Sequence, residues 1–247
     1  MTPPPPITRL TDLPAQLAAA GYAMLDAAGT AALAGVRPDD LARLAPYWDA
    51  LLPDQHLRDG GHYRRRRHSC FVVDRQGIVA TPHRAHWQPV EYNALHGGIE
   101  RWFEPIETGM QQAAAFLALL RGLSRLADHL RPGVERWFVE AHPFRIDCTG
   151  GIGRPTPEGA HRDGVDLVVV LLVARQQIKG GETRVFDAAG PQGMRFTLEQ
   201  PWSALLLDDA RMIHESTPIQ PLHAGATAHR DTFVITFRQD AFQGPGA

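Results

Sequence analysis

The sequence predicts a mainly β fold with flanking helices, an α+β arrangement of the sandwich or jelly-roll kind. Three observations carry that expectation. After residue 134 the chain breaks into short runs rich in Val, Ile, Phe and Thr, separated by Gly and Pro turns. The run 167–172 is apolar without alternation, as a strand buried on both faces would be. The helical periodicities lie upstream of these runs, so helices are segregated from strands and buttress a sheet rather than alternate with it.

The elements follow in order. Met1-Thr2-Pro3-Pro4-Pro5-Pro6 reads as a stiff extended arm and lacks the basic region and apolar core of a secretory signal. The first sixty residues are alanine-rich and predicted helical. Arg37-Pro38-Asp39-Asp40-Leu41 has the composition of a helix start, after which Leu41, Leu44, Trp48 and Leu51 recur at helical spacing, interrupted by Pro46. From Tyr63 the pattern turns to strands, with 70–73 and 78–81 flanking the hairpin turn Asp74-Arg75-Gln76-Gly77. Residues 106–130 form the clearest helix, with Ile106, Met110, Phe116, Leu117, Leu120, Leu123, Ala127 and Leu130 on one stripe and Pro132-Gly133 as its stop. Candidate strands are then 136–146, 161–173, 183–187, 194–198, 203–207 and 232–238, with Gly180-Gly181 and Ala188-Ala189-Gly190-Pro191 as turns. The expectation is one domain over 1–247: a helical N-terminal arm (1–60), a β-rich segment with a support helix (61–133) and a jelly-roll core (134–240).

Composition narrows the function classes. With 247 residues, 44% hydrophobic and 21% charged, the chain can bury a sizeable core. A net charge of −2 gives no general attraction to nucleic acid or an anionic membrane, and no apolar run is long enough to span a bilayer. Cys70 and Cys148 are too few for a disulfide framework and suit a reducing compartment, so a cytoplasmic location is expected. Oligomeric state is not readable from the sequence.

The chemistry concentrates in Pro157-Glu158-Gly159-Ala160-His161-Arg162-Asp163-Gly164. Residues two apart on an extended chain project to one side, so His161 and Asp163 can reach one metal ion while Arg162 points elsewhere. Gly164 permits close packing or an unusual backbone angle beside it. His214 supplies a second imidazole from a distant element. Two His and one carboxylate with open positions form the ligand set of non-haem Fe(II) oxygenases. An isolated H-x-D arises by chance in a chain with twelve histidines, and a polar strand edge is the alternative reading of His161. Downstream, Arg230 opens the apolar run Thr232-Phe233-Val234-Ile235-Thr236-Phe237. A planar guanidinium is the best partner for a carboxylate, and an oxygenase that uses a dicarboxylic keto acid needs such a clamp. A surface salt bridge with Asp231 is the alternative, and Arg238 is the rival anchor.

Together with Gly180-Gly181-Glu182-Thr183 and Glu140-Ala141-His142-Pro143-Phe144-Arg145, these motifs resemble the 2-oxoglutarate/Fe(II)-dependent dioxygenases, specifically the L-isoleucine 4-hydroxylase-like amino-acid hydroxylases, over roughly residues 60 to 240. The resemblance implies a double-stranded β-helix (cupin-like) core. It implies Fe(II) held by His161, Asp163 and His214, 2-oxoglutarate held by Arg230, O2 as oxidant and ascorbate as a reductant in vitro. It also implies hydroxylation of a small free L-amino acid with release of succinate and carbon dioxide. A metal- or ligand-binding module without turnover, or an oxygenase of a protein side chain or nucleobase, are the alternatives.

An amino-acid substrate needs a carboxylate clamp and an ammonium partner. Arg145 and the run Tyr63-Arg64-Arg65-Arg66-Arg67-His68 are candidates for the clamp. If that run is extended, Arg64 and Arg66 share one face and Arg65 and Arg67 the other. A solvated basic edge that discourages aggregation is the other reading of the run. Glu140 or Asp166 can receive the ammonium, or each can form a structural salt bridge. His83, His86, His96, His142 and His223 lie in no motif, and Trp87, Trp102, Trp137 and Trp202 read as core or pocket wall.

Overall fold

A computed structural model describes residues 4–245, so the first three positions of the expected proline arm lie outside the described residues. Helices α1 (Leu13–Ala20), α2 (Ala27–Ala34), α3 (Pro38–Ala42), α4 (Thr108–Gln111) and α5 (Ala114–Leu130) accompany fourteen strands among the described residues. The major sheet runs in the order β1 (Tyr22–Leu25), β11 (Ala204–Asp208), β7 (Leu167–Gln176), β14 (His229–Arg238), β6 (Arg136–Asp147), β3 (Arg64–Arg66) and β2 (Leu52–Pro53). The hairpin of β4 (Ser69–Asp74) and β5 (Gly77–Ala80) joins it through β6. A smaller sheet has the order β10 (Gly193–Thr197), β9 (Glu182–Asp187), β12 (Met212–Ser216), and β8 (Ile178–Gly180) pairs with β13 (Ile219–Pro221). The expected β-rich fold with helices on one side is observed.

Strand periodicity divides the major sheet into two faces. On one face Val139 and Ala141 of β6, Val169 and Leu171 of β7, and Phe233, Ile235 and Phe237 of β14 pack against Leu17 of α1 and Phe116, Leu120 and Leu123 of α5. On the other face Val168, Leu172, Leu205 and Leu207 meet Val185 and Phe196 of the smaller sheet. β7 carries both sets, which explains why its sequence shows no alternation. The central strands therefore sit in a sandwich whose helix-covered face is apolar, while the face opposite is apolar where β7 and β11 meet the smaller sheet and lines a cavity with polar groups along β3, β6 and β14.

Three local expectations differ from the structure. The helical run through Trp48 breaks into α3 and a tighter 3-10 helix at Ala45–Ala50, because Pro46 lacks an N–H and its ring crowds the preceding turn; its apolar stripe is buried all the same. The N-terminal sixty residues are not purely helical, since β1 pairs with β11 in the major sheet; tertiary pairing overrides the helical bias of the alanines around it. The long helix is likewise preceded by a separate short turn of helix, α4, with Gln112 and Ala113 between the two.

No described helix is long and apolar enough to cross a membrane.

The contact between α5 and α2 depends on Gly122. A Cβ there would fall inside van der Waals contact of the Leu33 carbonyl oxygen. Gly122→Ala is expected to lower unfolding free energy by about 1–3 kcal/mol, the range for overpacking against backbone that cannot give way. A denaturant titration with unchanged slope and an earlier midpoint checks this. An unchanged midpoint counts against the helix docking described here.

Candidate metal and co-substrate site

His161 precedes β7 and does not belong to it. It pairs with His214 of β12 in a single bridge, with His161 N donating to His214 O at 3.1 Å and His214 N to His161 O at 2.9 Å. The expected strand 161–173 therefore begins only at Leu167. The physical reason is Asp209, whose carboxylate accepts from the successive N–H groups of Asp163 (3.0 Å), Gly164 (2.7 Å) and Val165 (3.0 Å) in place of a neighbouring strand. Burial, and next the Asp163 carboxylate, push the Asp209 pKa up to about 7. Gly164 turns the chain at φ +76°, and a Cβ there would collide with the Tyr92 ring.

This loop brings the three predicted ligands together. His161 Nε2 lies 3.9 Å from Asp163 Oδ1, His214 Nε2 lies 3.9 Å from Asp163 Oδ2, and one ligand atom from each falls within 4.8 Å of the others. His161 Nδ1 is 2.9 Å from the Gly159 carbonyl oxygen, which can only accept, so Nδ1 carries a proton and Nε2 is left facing the carboxylates of Glu158 (3.6 Å) and Asp163 (3.9 Å). Burial, then the neighbouring His161, hold His214 well below the usual histidine range, so it stays neutral and able to ligate. Gln88 Nε2 donates to Asp163 Oδ1 at 2.9 Å and orients the carboxylate. Two nitrogens and one oxygen in this geometry fit Fe(II).

Arg230 lies on the cavity face of β14, with Thr232, Val234 and Thr236 beyond it on the same face. Its Nε and Nη2 are buried without any hydrogen-bond partner among the described residues, and burial, then Arg175 nearby, bring its pKa down to about 10. A buried guanidinium without an acceptor is costly unless an anion completes it, so the donor set fits a keto-acid carboxylate. The alternative salt bridge with Asp231 is not formed, since Asp231 pairs with Arg145 at 2.7 Å. The rival Arg238 turns its Nη1 to the Ala241 carbonyl oxygen.

The cavity between the sheets has a volume of about 120 Å³. Arg64 and Arg66 line it from β3, as the alternation required, while the Arg67 guanidinium reaches the Pro105 carbonyl oxygen on the other face. Glu140 lines it from β6. Arg145 and Asp166 do not, which corrects both expectations. Arg145 is an odd number of positions from Glu140 on the same strand, so it faces the helices and is held by Asp231 and Asp49. Asp166 sits at the sheet end, accepting from Arg131 Nε at 3.0 Å and Gln239 N at 2.9 Å. None of the four tryptophans lines the cavity.

Several cavity residues carried no signal in the sequence. Gln88, Asn93 and Arg101 come from the irregular stretch between β5 and α4, where no periodicity points to a face. His86, from the same stretch, joins His68, Glu140 and His142 in a buried cluster. His68 Nε2 and His86 Nδ1 lie 2.8 and 2.7 Å from Glu140 Oε2, and Arg66 Nη2 lies 2.6 Å from His142 Nδ1. The short contacts to Glu140 Oε2 are hydrogen bonds from the imidazoles, and an arginine N–H occupies the His142 Nδ1 lone pair that a metal ion would need. The guanidinium on His142 also disfavours a cation there. The cluster thus differs in kind from the triad.

Residues 45–236 match the family model described as 2OG-Fe dioxygenase. A BsmA homologue from Methylobium petroleophilum PM1 is 53% identical, with 100% of this chain and 99% of that one covered and a TM-score of 0.93. IDO from Bacillus thuringiensis is 15% identical over 98% of this chain and all of its own, with a TM-score of 0.75. TqaL, an Fe(II)/α-ketoglutarate-dependent dioxygenase, is 19% identical over 96% of this chain and 92% of its own, with a TM-score of 0.71. The latter two show the shared double-stranded β-helix fold. No curated protein sequence matches the chain. A family match across most of the chain falls on a fold whose cavity joins a His-Asp-His triad to an unpaired buried arginine, and on that basis the chain belongs to the 2OG-Fe dioxygenase family.

Proposed function

We propose that this dioxygenase hydroxylates a small free L-amino acid, or a close derivative, while converting 2-oxoglutarate to succinate and carbon dioxide. His161, Asp163 and His214 would hold Fe(II), and Arg230 the distal carboxylate of 2-oxoglutarate. When bound, iron with the keto acid and O2 supplies the oxidising power for attack on an unactivated C–H bond. The protein holds the target carbon in place and keeps bulk water out.

The observation that carries the substrate assignment is the charge pattern of the cavity. Arg64, Arg66 and Arg101 approach it alongside Glu140, and Arg64 Nε is held by Asp54 at 2.6 Å. With Arg230 four guanidiniums line the cavity, against the carboxylates of Glu140, Glu158 and Asp163 in its wall and of Asp54 behind Arg64. A ferrous ion and a 2-oxoglutarate dianion cancel each other, so the site accepts a substrate without net charge but with separated charges. A zwitterion has that pattern, and a small cavity suits a free molecule.

Pooled free L-amino acids incubated with the protein, Fe(II), ascorbate and 2-oxoglutarate should yield one species heavier by one oxygen atom, with matching succinate. Succinate release that no free amino acid stimulates, with no oxygen gained by any of them, would contradict this reading.

A further inference from the structure

Resting on the amino-acid reading, we propose that Glu140 and His86 form the seat for the substrate's ammonium group, and that Arg66 and Arg101 form the seat for its carboxylate. The enzyme then requires a free primary α-amine.

Hydrogen-bond polarity carries the argument. An arginine can only donate, so His142 Nδ1, 2.6 Å from Arg66 Nη2, must accept, and the His142 proton sits on Nε2, which faces Glu140 Oε2 at 3.6 Å. His68 Nε2 and His86 Nδ1 lie within hydrogen-bond distance of the same oxygen and donate to it. Glu140 Oε2 is therefore surrounded by imidazole N–H groups, and Oε1 has no partner among the described residues. Because His86 commits its proton to Glu140, its other nitrogen, Nε2, presents a lone pair. Both Glu140 and His86 line the cavity. They offer acceptors only, which is what an ammonium with three N–H donors needs.

The opposite charge is offered beside them. Arg66 is stacked between the rings of Phe103 and Phe144, with its guanidinium carbon 3.9 and 4.3 Å from their centroids, which fixes its plane. Its Nε is buried without a partner among the described residues. Arg101 spends Nη2 on Gln88 Oε1 at 2.8 Å and also keeps an unpartnered Nε. Two guanidiniums that line the cavity next to two groups with spare lone pairs form a receptor for the charged end of an amino acid. Gln88 links this receptor to the metal triad, since its other amide atom donates to Asp163.

N-acylation removes the ammonium charge and sets a carbonyl oxygen against a wall of acceptors. Replacing the amine by a hydroxyl leaves one neutral donor. Both changes forfeit charge-assisted bonds.

The test uses the iron- and 2-oxoglutarate-loaded enzyme and the free L-amino acid turned over fastest in the pooled assay, compared with its N-acetyl and its 2-hydroxy counterparts. The expected result is a kcat/KM lower by about a hundredfold for each counterpart, carried mainly by KM. Glu140→Gln should impose a similar loss on the free amino acid while the KM for 2-oxoglutarate stays unchanged. Equal turnover of the N-acetyl or 2-hydroxy compound by the unaltered enzyme overturns the ammonium seat but leaves the free-amino-acid reading standing. Absence of turnover with every free amino acid overturns both. The analogue comparison needs no variant, so a folding defect in Glu140→Gln would not protect the assignment.

Discussion

Replacing Asp163 with alanine should lower 2-oxoglutarate-dependent succinate formation by at least about a thousandfold while leaving the fold intact. Mutation of groups that merely orient metal ligands commonly costs 10–100-fold in affinity or activity, and Asp163 is the only carboxylate of the triad itself. Without it, two imidazoles remain and the dication loses the one charged member of the triad. The fold does not depend on the side chain. The loop is held by the backbone N–H groups of residues 163–165 on Asp209 and by the bridge between His161 and His214, none of which uses the Asp163 carboxylate. Burial also pushes the Asp163 pKa up, so removing the carboxyl from a metal-free chain relieves a desolvated charge. Circular dichroism with a retained melting transition, beside a succinate assay, reads both halves. Succinate formation within tenfold of the unaltered enzyme would refute the metal assignment.

Arg230→Met should separate co-substrate binding from stability in the same way. Arg230 is 3% exposed and its Nε and Nη2 have no acceptor among the described residues, so in the absence of an anion it is an uncompensated buried charge. A hydrophobic residue of similar length should leave the metal-free protein as stable or more stable, by about 1–3 kcal/mol. The KM for 2-oxoglutarate should rise by at least about a hundredfold, since two charge-assisted hydrogen bonds are each worth about 1.5–3 kcal/mol. Thermal unfolding with and without 2-oxoglutarate tests the pair of effects. The unaltered enzyme gains stability from the ligand and the variant does not. A variant that loses stability yet binds 2-oxoglutarate normally would make Arg230 a structural residue.

Much of this site was legible in the sequence because its information is local. His161 and Asp163 stand two apart, and Arg64 and Arg66 share a face by strand periodicity. The same rule, applied to β6, would have removed Arg145: once Glu140 and His142 face the cavity, an odd offset places Arg145 among the helices. What stayed hidden is non-local. Asp209 holds the ligand loop from a distant turn, so 161–166 resembles the start of a strand until that carboxylate is seen to take its N–H groups. His86, Gln88 and Arg101 belong to an irregular stretch without periodicity, and only the folded chain brings them to Glu140 and Asp163. The apolar stripe at Trp48 was readable although the helix was not, because burial tolerates a 3-10 turn where Pro46 forbids a continuous α-helix.

One ferrous ion is expected to bind between His161, Asp163 and His214, and none in the neighbouring cluster of His68, His86, Glu140 and His142. Anaerobic Fe(II) titration in the presence of 2-oxoglutarate, with bound metal counted per chain, tests it most directly. One iron per chain should bind to the unaltered protein and to Glu140→Gln, and none to Asp163→Ala. Iron retained by Asp163→Ala but lost from Glu140→Gln would contradict the account.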